Sequence, residues 1–443
     1  MKKKLLQMTA VLSAALMLTG CTFGRTNNNP GPDPQPISSQ TQNTNQPFTP
    51  GGGSVSLTAG KQGGMVVSTV PTDEQMALIS EAGTGLLAEI TTDGNENVLL
   101  SPVSILMALG MTENGACGDT LSQMESIANG GIKVEQMNTV MAYLREKMNE
   151  SPDVKWNVAN SVWLKDMDGL ELDPEFAETV IAHYRAEVWK SNFNQGTVDD
   201  INSWVNMNTD GMIDEVINNI SPNTMMYLIN AISFDGEWEE QYEDDKIKEG
   251  FDFNNADGSI SSVTMLSSKE NKYFTLGDGE GFVKPYKGGE FSFVGILPKE
   301  GESTSEYLSK IRNLDLAKAV REARDEEVRV KIPEFENDYG TNLAETYNNM
   351  GMTEPFGMNA DFSDMLVSGG DTIRIGSIIH KTHIEVDRKG TRAAAVTAVE
   401  MRVKGAIMEE MPKSIVLDRP FVYAIVDNAT GIPVFLGCQN SMK

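Results

Sequence analysis

Three histidines are the residues of this chain best suited to chemistry, because imidazole acts as a general base or a metal ligand near neutral pH. They are His183, His380 and His383. His380 and His383 lie three positions apart in a stretch with the pattern of a strand, so their side chains should point to opposite faces of a sheet. Ligands on opposite faces cannot share a metal ion. We interpret them as satisfied core or surface histidines and predict no metal site.

The common catalytic motifs are missing from the sequence. It contains no HExxH, CxxC, P-loop or GxSxG pattern. The segment GDGEG at 277–281 has the glycine spacing of a nucleotide-binding loop, but its acidic residues would repel a phosphate, so we interpret it as a turn. Cys117 and Cys438 are one potential pair in a long chain, and we predict that they are free. The protein is therefore expected not to be an enzyme and to need no cofactor.

The most informative spacing is in residues 390–404, which read GTRAAAVTAVEMRVK. All odd positions from Thr391 to Val403 are uncharged. The charges lie at even positions, in Arg392, Glu400, Arg402 and Lys404. A period of two indicates a strand with one buried face. Yet the segment lacks large apolar residues and continues into GAIMEEMPK, which is typical of an exposed loop.

Composition limits the partners of the protein. The chain has 443 residues, 40 % of them apolar, so it can bury a large core, and its length alone favours two or three domains. Its formal charge of -27 is spread over many short acidic clusters. Such a surface opposes binding to nucleic acid and docking on an anionic membrane.

Residues 1–20 have the pattern of a secretion signal, with a basic start and an apolar run that reaches Leu18. The run is too short for a stable membrane span. The stretch LTGC, which ends at Cys21, resembles the lipobox of bacterial lipoproteins, in which cleavage before the cysteine leaves it as the lipidated first residue. We expect an exported protein that Cys21 anchors in the bacterial cell envelope, periplasmic or surface-exposed. An ordinary signal with a chance cysteine is the alternative.

Residues 21–68 are rich in Asn, Pro, Gln, Thr and Gly and poor in apolar residues. Such a segment cannot bury enough surface to offset the entropy lost on ordering. We interpret it as a disordered tether and expect the folded domain to span residues 69–443.

The elements that position these residues change along the chain. The segment SPVSILMALGM places Ser101 and Pro102 as the cap and first residue of a buried helix, and Thr197 has the pattern of a capping box at the start of another. The second half is rich in strand patterns such as VRVKIP, IRIGSII and RPFVYAIVD. Helices mostly early and strands mostly late indicate an α+β fold.

Several segments resemble, in order, landmarks of the serpins, a family of protease inhibitors that work by conformational trapping. They are NVLLSPVSILMALGM, INSWVNMNTDGMI, NAISFDGEW, VKIPEF, NADFSDM, HKTHIEVDRKGTRAAAVTAV and DRPFVYAIVDNATGIPVFLG. The resemblance covers residues 69–443. It implies a single domain with three β-sheets, eight or nine helices and an exposed reactive-centre loop, in place of two or three domains.

In inhibitory serpins the target protease cuts this loop, and the amino-side portion inserts into the main sheet as a new strand. The resemblance implies the same for GTRAAAVTAVEMRVK, which would explain a loop that carries a strand's alternation. Gly390 would be a pivot with a permissive backbone, and Thr391 would be the first buried residue. The small residues that let the strand enter without overpacking would be Ala393, Ala394 and Ala395.

The position of the cleaved bond follows from the same resemblance. The family commonly places it about fourteen residues after the hinge glycine, here Lys404–Gly405, and a lysine suits the acidic pocket of a trypsin-like protease. Arg402 is the alternative residue. A more distal bond such as Met408–Glu409 stays open, because the following stretch is longer than we expect for the family.

One position departs from the family. The residue two before the hinge glycine is usually glutamate and is Arg388 here. In relatives with that glutamate, a lysine can pair with it from the position after the proline in the strand that VKIPEF resembles, and that position is Glu334. We hypothesise that Arg388 and Glu334 form the same pair with exchanged charges and tune the opening of the sheet.

Other residues match controls on insertion rather than catalysts. Trp238 matches a tryptophan near the upper opening of the main sheet. A polar cluster beneath the sheet, where its strands part, is matched by Ser101, Ser104, Asn230 and His380.

Two functions are compatible with the resemblance. The first is irreversible, suicide-substrate inhibition of trypsin-like serine proteases, with cysteine proteases as further targets. The second is a non-inhibitory serpin that acts as a binding or structural module and whose loop is only a substrate. The small, uncharged hinge residues favour the first. We expect a monomer whose partners are the target protease and, through Cys21, a membrane.

Overall fold

The structure, a computed structural model, describes residues 48–92, 94–221, 223–370, 373–391 and 413–443. Within these ranges the chain forms nine α-helices and sixteen β-strands. The helices are α1 Asp73–Ile90, α2 Pro102–Glu113, α3 Gly118–Ile127, α4 Val134–Glu150, α5 Pro174–Tyr184, α6 Gln195–Asn208, α7 Thr304–Ile311, α8 Leu316–Arg321 and α9 Leu343–Asn349. The strands are β1 Val55–Ser56, β2 Val98–Leu100, β3 Val154–Lys165, β4 Glu187–Ser191, β5 Met226–Glu237, β6 Ile247–Asn254, β7 Ile260–Leu276, β8 Gly279–Pro285, β9 Phe291–Leu297, β10 Arg324–Pro333, β11 Phe335–Asn342, β12 Ile375–Val386, β13 Gly390–Thr391, β14 Lys413–Val416, β15 Phe421–Asp427 and β16 Pro433–Gln439.

Local capping explains where two of the helices begin. As predicted, Ser101 caps α2, because its hydroxyl accepts the N–H of Ser104 at 3.3 Å, and Pro102 is the first helical residue. For α6 the predicted cap, Thr197, is wrong. The cap is Asn194, and Thr197 is the third helical residue, whose hydroxyl accepts the N–H of Asn194.

The main sheet contains seven of the described strands, in the order β1-β4-β3-β5-β13-β12-β11. Strands β5 and β12 run parallel and pair directly over residues 226–233 and 375–383. The two-residue β13 lies between the ends of these strands. The centre of the sheet is therefore a parallel pair with a short strand at one end.

The other described strands form a second hydrogen-bonded network, in the order β14-β10-β7-β8-β9-β15-β16-β2, with β6 paired to β7. The 17-residue β7 joins two groups of strands. It pairs with β6 and β10 along most of its length and with β8 only over residues 273–276. The resemblance implies three sheets. The described strands form two hydrogen-bonded networks, because two of the expected sheets share β7.

Both faces of β5 are buried, which explains its nearly continuous apolar sequence. Its even-numbered residues, such as Leu228 and Phe234, belong to the main core between the sheets. Its odd-numbered residues, such as Tyr227 and Ile229, belong to a second apolar cluster that includes Trp204 of α6. Any strand added beside β5 must therefore suit two packed faces.

The folded body begins earlier than predicted, at Phe48 rather than near residue 69. Phe48 packs edge-on against Trp189 with ring centroids 5.6 Å apart. The Asp200 carboxylate accepts the N–H groups of Gly52 and Ser54 at 2.6 and 3.0 Å. The polar composition of this segment conceals these contacts, because they are made largely by the backbone.

Cys117 and Cys438 are both free, which confirms the prediction for them. Among the described residues, no helix combines the length and the apolar character needed to cross a membrane.

Candidate functional site

The candidate site is the hinge, where β13 enters the main sheet. Gly390 pairs with Glu237 and Thr391 with Gly236, both at the end of β5. On the other side, Thr391 pairs with Val386 at the end of β12. The first two residues of the strand-patterned segment thus already lie between β5 and β12.

The glycine at this hinge is required by close approach of two backbones. A Cβ added at Gly390 would lie 2.1 Å from the carbonyl oxygen of Gly236, well inside any real contact. Gly390 is not one of the glycines with positive φ. In this structure the reason for glycine is space, and a permissive backbone at the pivot stays a prediction.

Thr391 is fully buried, and its hydroxyl is 2.5 Å from the hydroxyl of Tyr286. The Tyr286 ring stacks on the indole of Trp238, with centroids 4.6 Å apart and planes 9° apart. Burial raises the pKa of Tyr286, so its hydroxyl stays protonated and available for hydrogen bonding. The environment of Thr391 is aromatic and accepts a small hydroxyl.

Trp238 holds the turn before the hinge glycine. Its indole N–H donates to the carbonyl of Asp387 at 2.8 Å, and its backbone N–H donates to the carbonyl of Lys389 at 2.9 Å. The Asp387 carboxylate accepts the N–H groups of Lys389 and Gly390 at 2.7 and 3.0 Å. The turn is therefore held by hydrogen bonds from Trp238, which follows β5, and by the Asp387 carboxylate within the turn itself.

Arg388 and Glu334 lie together at the mouth of the sheet. The Arg388 Nε and Nη2 donate to the two carboxylate oxygens of Glu334 at 2.9 and 3.1 Å. The backbone N–H of Arg388 adds a third bond at 3.2 Å. This bidentate pair is partly exposed, and the Glu334 carboxylate raises the pKa of Arg388.

The predicted polar cluster is assembled below the hinge. The backbone N–H of Ser101 donates to His380 Nε2 at 3.1 Å, so this nitrogen is unprotonated. Nδ1 therefore carries the proton and donates to Asn230 Oδ1. Asn230 in turn donates to the carbonyl of Ser104 at 2.6 Å. Burial lowers the pKa of His380 to about 3, so the ring is neutral.

Sequence reasoning missed two groups beside these residues. Asn160 accepts from Asn230 at 2.6 Å and completes the polar cluster. Lys284 and Glu270 form a buried ion pair at 3.2 Å, and the Lys284 ammonium lies 5.2 Å from the ring centroid of Trp238. The signal for Asn160 was a polar residue within a strand that is otherwise largely apolar around it. Nothing in the sequence pairs Lys284 with Glu270.

Some predicted residues lie outside the described part of the chain. They are Cys21, Ala393, Ala394, Ala395, Arg402, Lys404 and Gly405, together with the alternative bond Met408–Glu409. The structure brings together the other predicted residues in two places. The hinge group is Gly390, Thr391, Arg388, Glu334 and Trp238, and the polar cluster is Ser101, Ser104, Asn230 and His380.

The described elements define an α+β protein with a short strand between the ends of the central parallel pair of its main sheet. Comparisons with known proteins identify its family. The family model described as Serpin (serine protease inhibitor) matches residues 78–441. Serpin-ZX of Arabidopsis thaliana is 30% identical over 388 residues, which cover 82% of this chain and 97% of the relative. The chain therefore belongs to the serpin family, whose members are generally protease inhibitors rather than enzymes.

Solved structures of one serpin in two states match this chain. The thermophilic serpin tengpin in its native state is 35% identical, with a TM-score of 0.81, and the match covers 88% of this chain and 99% of that one. For tengpin in its latent state the TM-score is 0.72, with 85% and 100% covered. The TM-score is therefore higher for the native state than for the latent state.

Human thyroxine-binding globulin also has this fold. Its structure in complex with thyroxine is 25% identical, with a TM-score of 0.74 and 84% and 100% of the two chains covered. The fold by itself therefore does not decide between inhibition and binding.

Proposed function

We propose that this protein is an irreversible inhibitor of trypsin-like serine proteases that traps the acyl-enzyme by inserting its cleaved loop between β5 and β12. The observation that carries the proposal is β13, which already occupies the entrance between these two strands with Thr391 buried. To complete a strand, β5 and β12 must part and the pairing of β13 must continue in the same register.

The length of the sheet matches the length of the segment. If the antiparallel register of Gly390 and Thr391 with β5 continues, Met401 arrives opposite Met226, the first residue of β5. In the register with β12, Arg402 arrives opposite Ile375, the first residue of that strand. The strand-patterned segment thus spans the gap and ends close to the proposed cleavage bond.

The faces of the sheet suit the alternation of the segment. Odd residues would face the main core with Thr391, and all of them are uncharged. We expected even residues to face solvent, but the second apolar cluster covers the middle of β5. Opposite Ala231 and Ile229 of this cluster the even residues would be the uncharged Val396 and Ala398. Glu400 would arrive opposite Tyr227, where the cluster borders an open cavity. The segment therefore fits both faces.

The flanking charges would meet suitable surroundings. In the extended register Arg392 would lie between Asp235 and Glu385, two acidic residues. Glu400 would lie between Tyr227 and Ser377, which line an open cavity of 360 Å³. Thr397 would separate Asn230 from His380, and its hydroxyl could replace the hydrogen bond between them.

The chemistry follows from the proposed bond. The protease serine attacks the carbonyl of Lys404 and forms an acyl-enzyme, releasing the amine of Gly405. Insertion of roughly 14 residues at about 3.3 Å each would carry the tethered protease about 45 Å. Distortion that removes one oxyanion-hole donor slows acyl transfer by about 100- to 1000-fold, so the ester persists.

Incubation with trypsin followed by a denaturing gel tests the proposal. We expect a band at the summed mass of the two proteins. Lys404→Ala should abolish the band, whereas Arg402→Ala, the matched control, should keep it. Complete cleavage of the wild-type loop with no stable complex would contradict inhibition.

A non-inhibitory binding role is the second candidate, and the likeness to thyroxine-binding globulin favours it. In that case the loop is only a substrate, and the same gel shows cleavage products alone. Inhibition is the better supported function, because the hinge residues are small and uncharged at the buried positions.

We further propose that the protein is a monomeric lipoprotein of the bacterial cell envelope, anchored through Cys21 and exported by residues 1–20. The lipobox-like LTGC supports this. Cys21→Ser should move the protein from the detergent phase to the aqueous phase in a detergent partition of cells, with Cys117→Ser as the control. Equal partitioning of Cys21→Ser and wild type would contradict the anchor.

A further inference from the structure

A group of three metal-ligating side chains lies on the exposed face of the main sheet, apart from the hinge contacts. Glu336 and Asp338 belong to β11, and His383 belongs to β12. Their ligand atoms all lie within 4.8 Å of one another. We propose that these residues bind a divalent first-row transition-metal cation, with Zn²⁺ as the ion to test.

Strand pairing fixes the positions of the ligands. Asp338 lies directly opposite His383 across the antiparallel pair, and Glu336 is two residues away on the same face of β11. His383 Nδ1 is 2.9 Å from Asp338 Oδ1. Ligands of a tetrahedral Zn²⁺ at about 2.0–2.2 Å lie about 3.3–3.5 Å apart, so small side-chain rotations on a rigid backbone suffice.

The donor set selects the class of ion. One imidazole and two carboxylates suit Zn²⁺ and its first-row neighbours, whereas Ca²⁺ and Mg²⁺ prefer oxygen ligands alone. The sequence argument against a metal considered only His380 with His383, and their side chains do lie on opposite faces. His380 is buried in the polar cluster, whereas His383 contacts Asp338 at the surface.

The surroundings leave room and charge for a cation. A cavity of 540 Å³ lies beside Glu336 and Asp338, so water can complete the coordination. On β12, the charged residues on the same face as His383 are Lys381 and Glu385, which offset one another. The net charge of the chain is -27, which favours cation binding in general.

The site does not depend on loop insertion. It joins β11 to β12, and insertion would separate β12 from β5 instead. Bound metal should therefore raise the stability of the folded protein through mass action without changing the yield of complex with trypsin. The failure of one proposal would not imply the failure of the other.

Calorimetric titration of the full-length chain with ZnCl₂ in a non-chelating buffer tests the site. We expect one equivalent to bind, and we expect His383→Ala and Asp338→Asn each to weaken binding by at least about tenfold. His183→Ala removes a histidine far along the sequence on α5 and should bind as wild type does. Lowering the pH should weaken binding, because the metal competes with a proton for the imidazole.

The conservative variant Glu336→Gln distinguishes a loss of metal binding from misfolding. It keeps the size of the side chain at an exposed position and should melt as the metal-free wild type does while binding Zn²⁺ more weakly. No binding to the wild type, binding unchanged in His383→Ala, or stronger binding of Ca²⁺ than of Zn²⁺ would each overturn the proposal.

Discussion

At the scale of single residues, His380 shows how one protonation state is fixed by its partners. The Ser101 N–H can only donate, so the imidazole nitrogen that faces it must accept. A second proton on the ring would break this bond and place a charge in a fully buried cluster. The neutral histidine is therefore part of what keeps β5 and β12 together over α2.

This gives a prediction for the dependence of stability on pH. The pKa of His380 is lowered from 6.5 to about 3 in the folded protein, so unfolding takes up a proton between these values. The contribution of neutral His380 to the free energy of unfolding is complete above about pH 6.5. It is lost as the pH falls, by at most about 1.4 kcal/mol per pH unit. Urea unfolding between pH 7.5 and 4.5 should show a steeper loss for the wild type than for His380→Gln.

His183→Gln, on α5, is the control for the removal of a histidine as such. If the free energy of unfolding depends on pH equally in the wild type and in His380→Gln, the protonation of His380 does not change on unfolding.

The pair of Arg388 and Glu334 gives a second residue-scale prediction. Arg388→Glu alone should lower the free energy of unfolding, and adding Glu334→Arg should recover about 0–1 kcal/mol, because the pair is partly exposed. Urea unfolding and the rate of complex formation with trypsin measure the two effects.

A second surface ion pair between strands is the comparison that separates stability from function. Lys269 and Glu327 also bridge neighbouring strands, at 3.0 Å. The same charge exchange there should leave the inhibition rate unchanged. If the two exchanges have equal effects on that rate, the hinge pair has no special role in opening the sheet.

At the scale of elements, β13 is the part of the sheet that links the native state to the proposed inserted state. It is only two residues long, yet it is paired on both sides. Further insertion must part the pairs between β5 and β12, which extend to Ser233 and His383. Thr391 is the first residue after the hinge turn and is already paired at the ends of both strands.

Thr391→Arg should therefore convert the inhibitor into a substrate. The position is fully buried beside Tyr286, so the arginine would have to enter unpaired, and burying an unpaired charge costs several kcal/mol. The ratio of cleaved protein to complex on a denaturing gel should rise by at least about tenfold. Lys389→Arg, which adds no charge two residues earlier, is the control. Undiminished trapping by Thr391→Arg would rule out insertion through this hinge.

At the scale of the whole molecule, the main sheet lacks the antiparallel strand that loop insertion would place between β5 and β12. The pairing of β5 with β12 is parallel, and parallel pairs are slightly less stable per residue than antiparallel ones. Inserting the loop segment replaces this one parallel ladder with two antiparallel ladders. The gain in hydrogen bonds and buried surface is the free energy available for trapping a protease.

The protein nicked in its loop should therefore melt at a higher temperature than the intact protein. About ten added hydrogen bonds at about 1 kcal/mol each would raise the midpoint by about 10 °C for a domain of this size. Scanning calorimetry before and after limited trypsin cleavage measures the shift. Nicked Thr391→Arg is the internal control, because its loop should stay outside and its midpoint should stay where it was. An unchanged melting midpoint in the nicked wild type would contradict the proposed gain in stability on loop insertion.

Much of this could be predicted from local sequence. The cap at Ser101, the α+β order of elements and the alternation from Thr391 onward are set by residues close together in the chain. The start of the folded body at Phe48 could not, because its contacts with β4 and α6 come from backbone groups that a polar sequence also provides. Likewise, Gly390 was recognisable as a hinge, but the reason for it, the nearby carbonyl of Gly236, was not.

The sequence by itself determined that one segment of this protein has both the position of a loop and the period of a strand, because alternation is a local property of side chains. Only the tertiary structure decided what that segment meets. Arg388 reaches Glu334 across 54 positions, and His380 reaches Asn230 across 150. Contacts at such separations depend on how strands are ordered in a sheet, and strand order is settled by the packing of the whole chain.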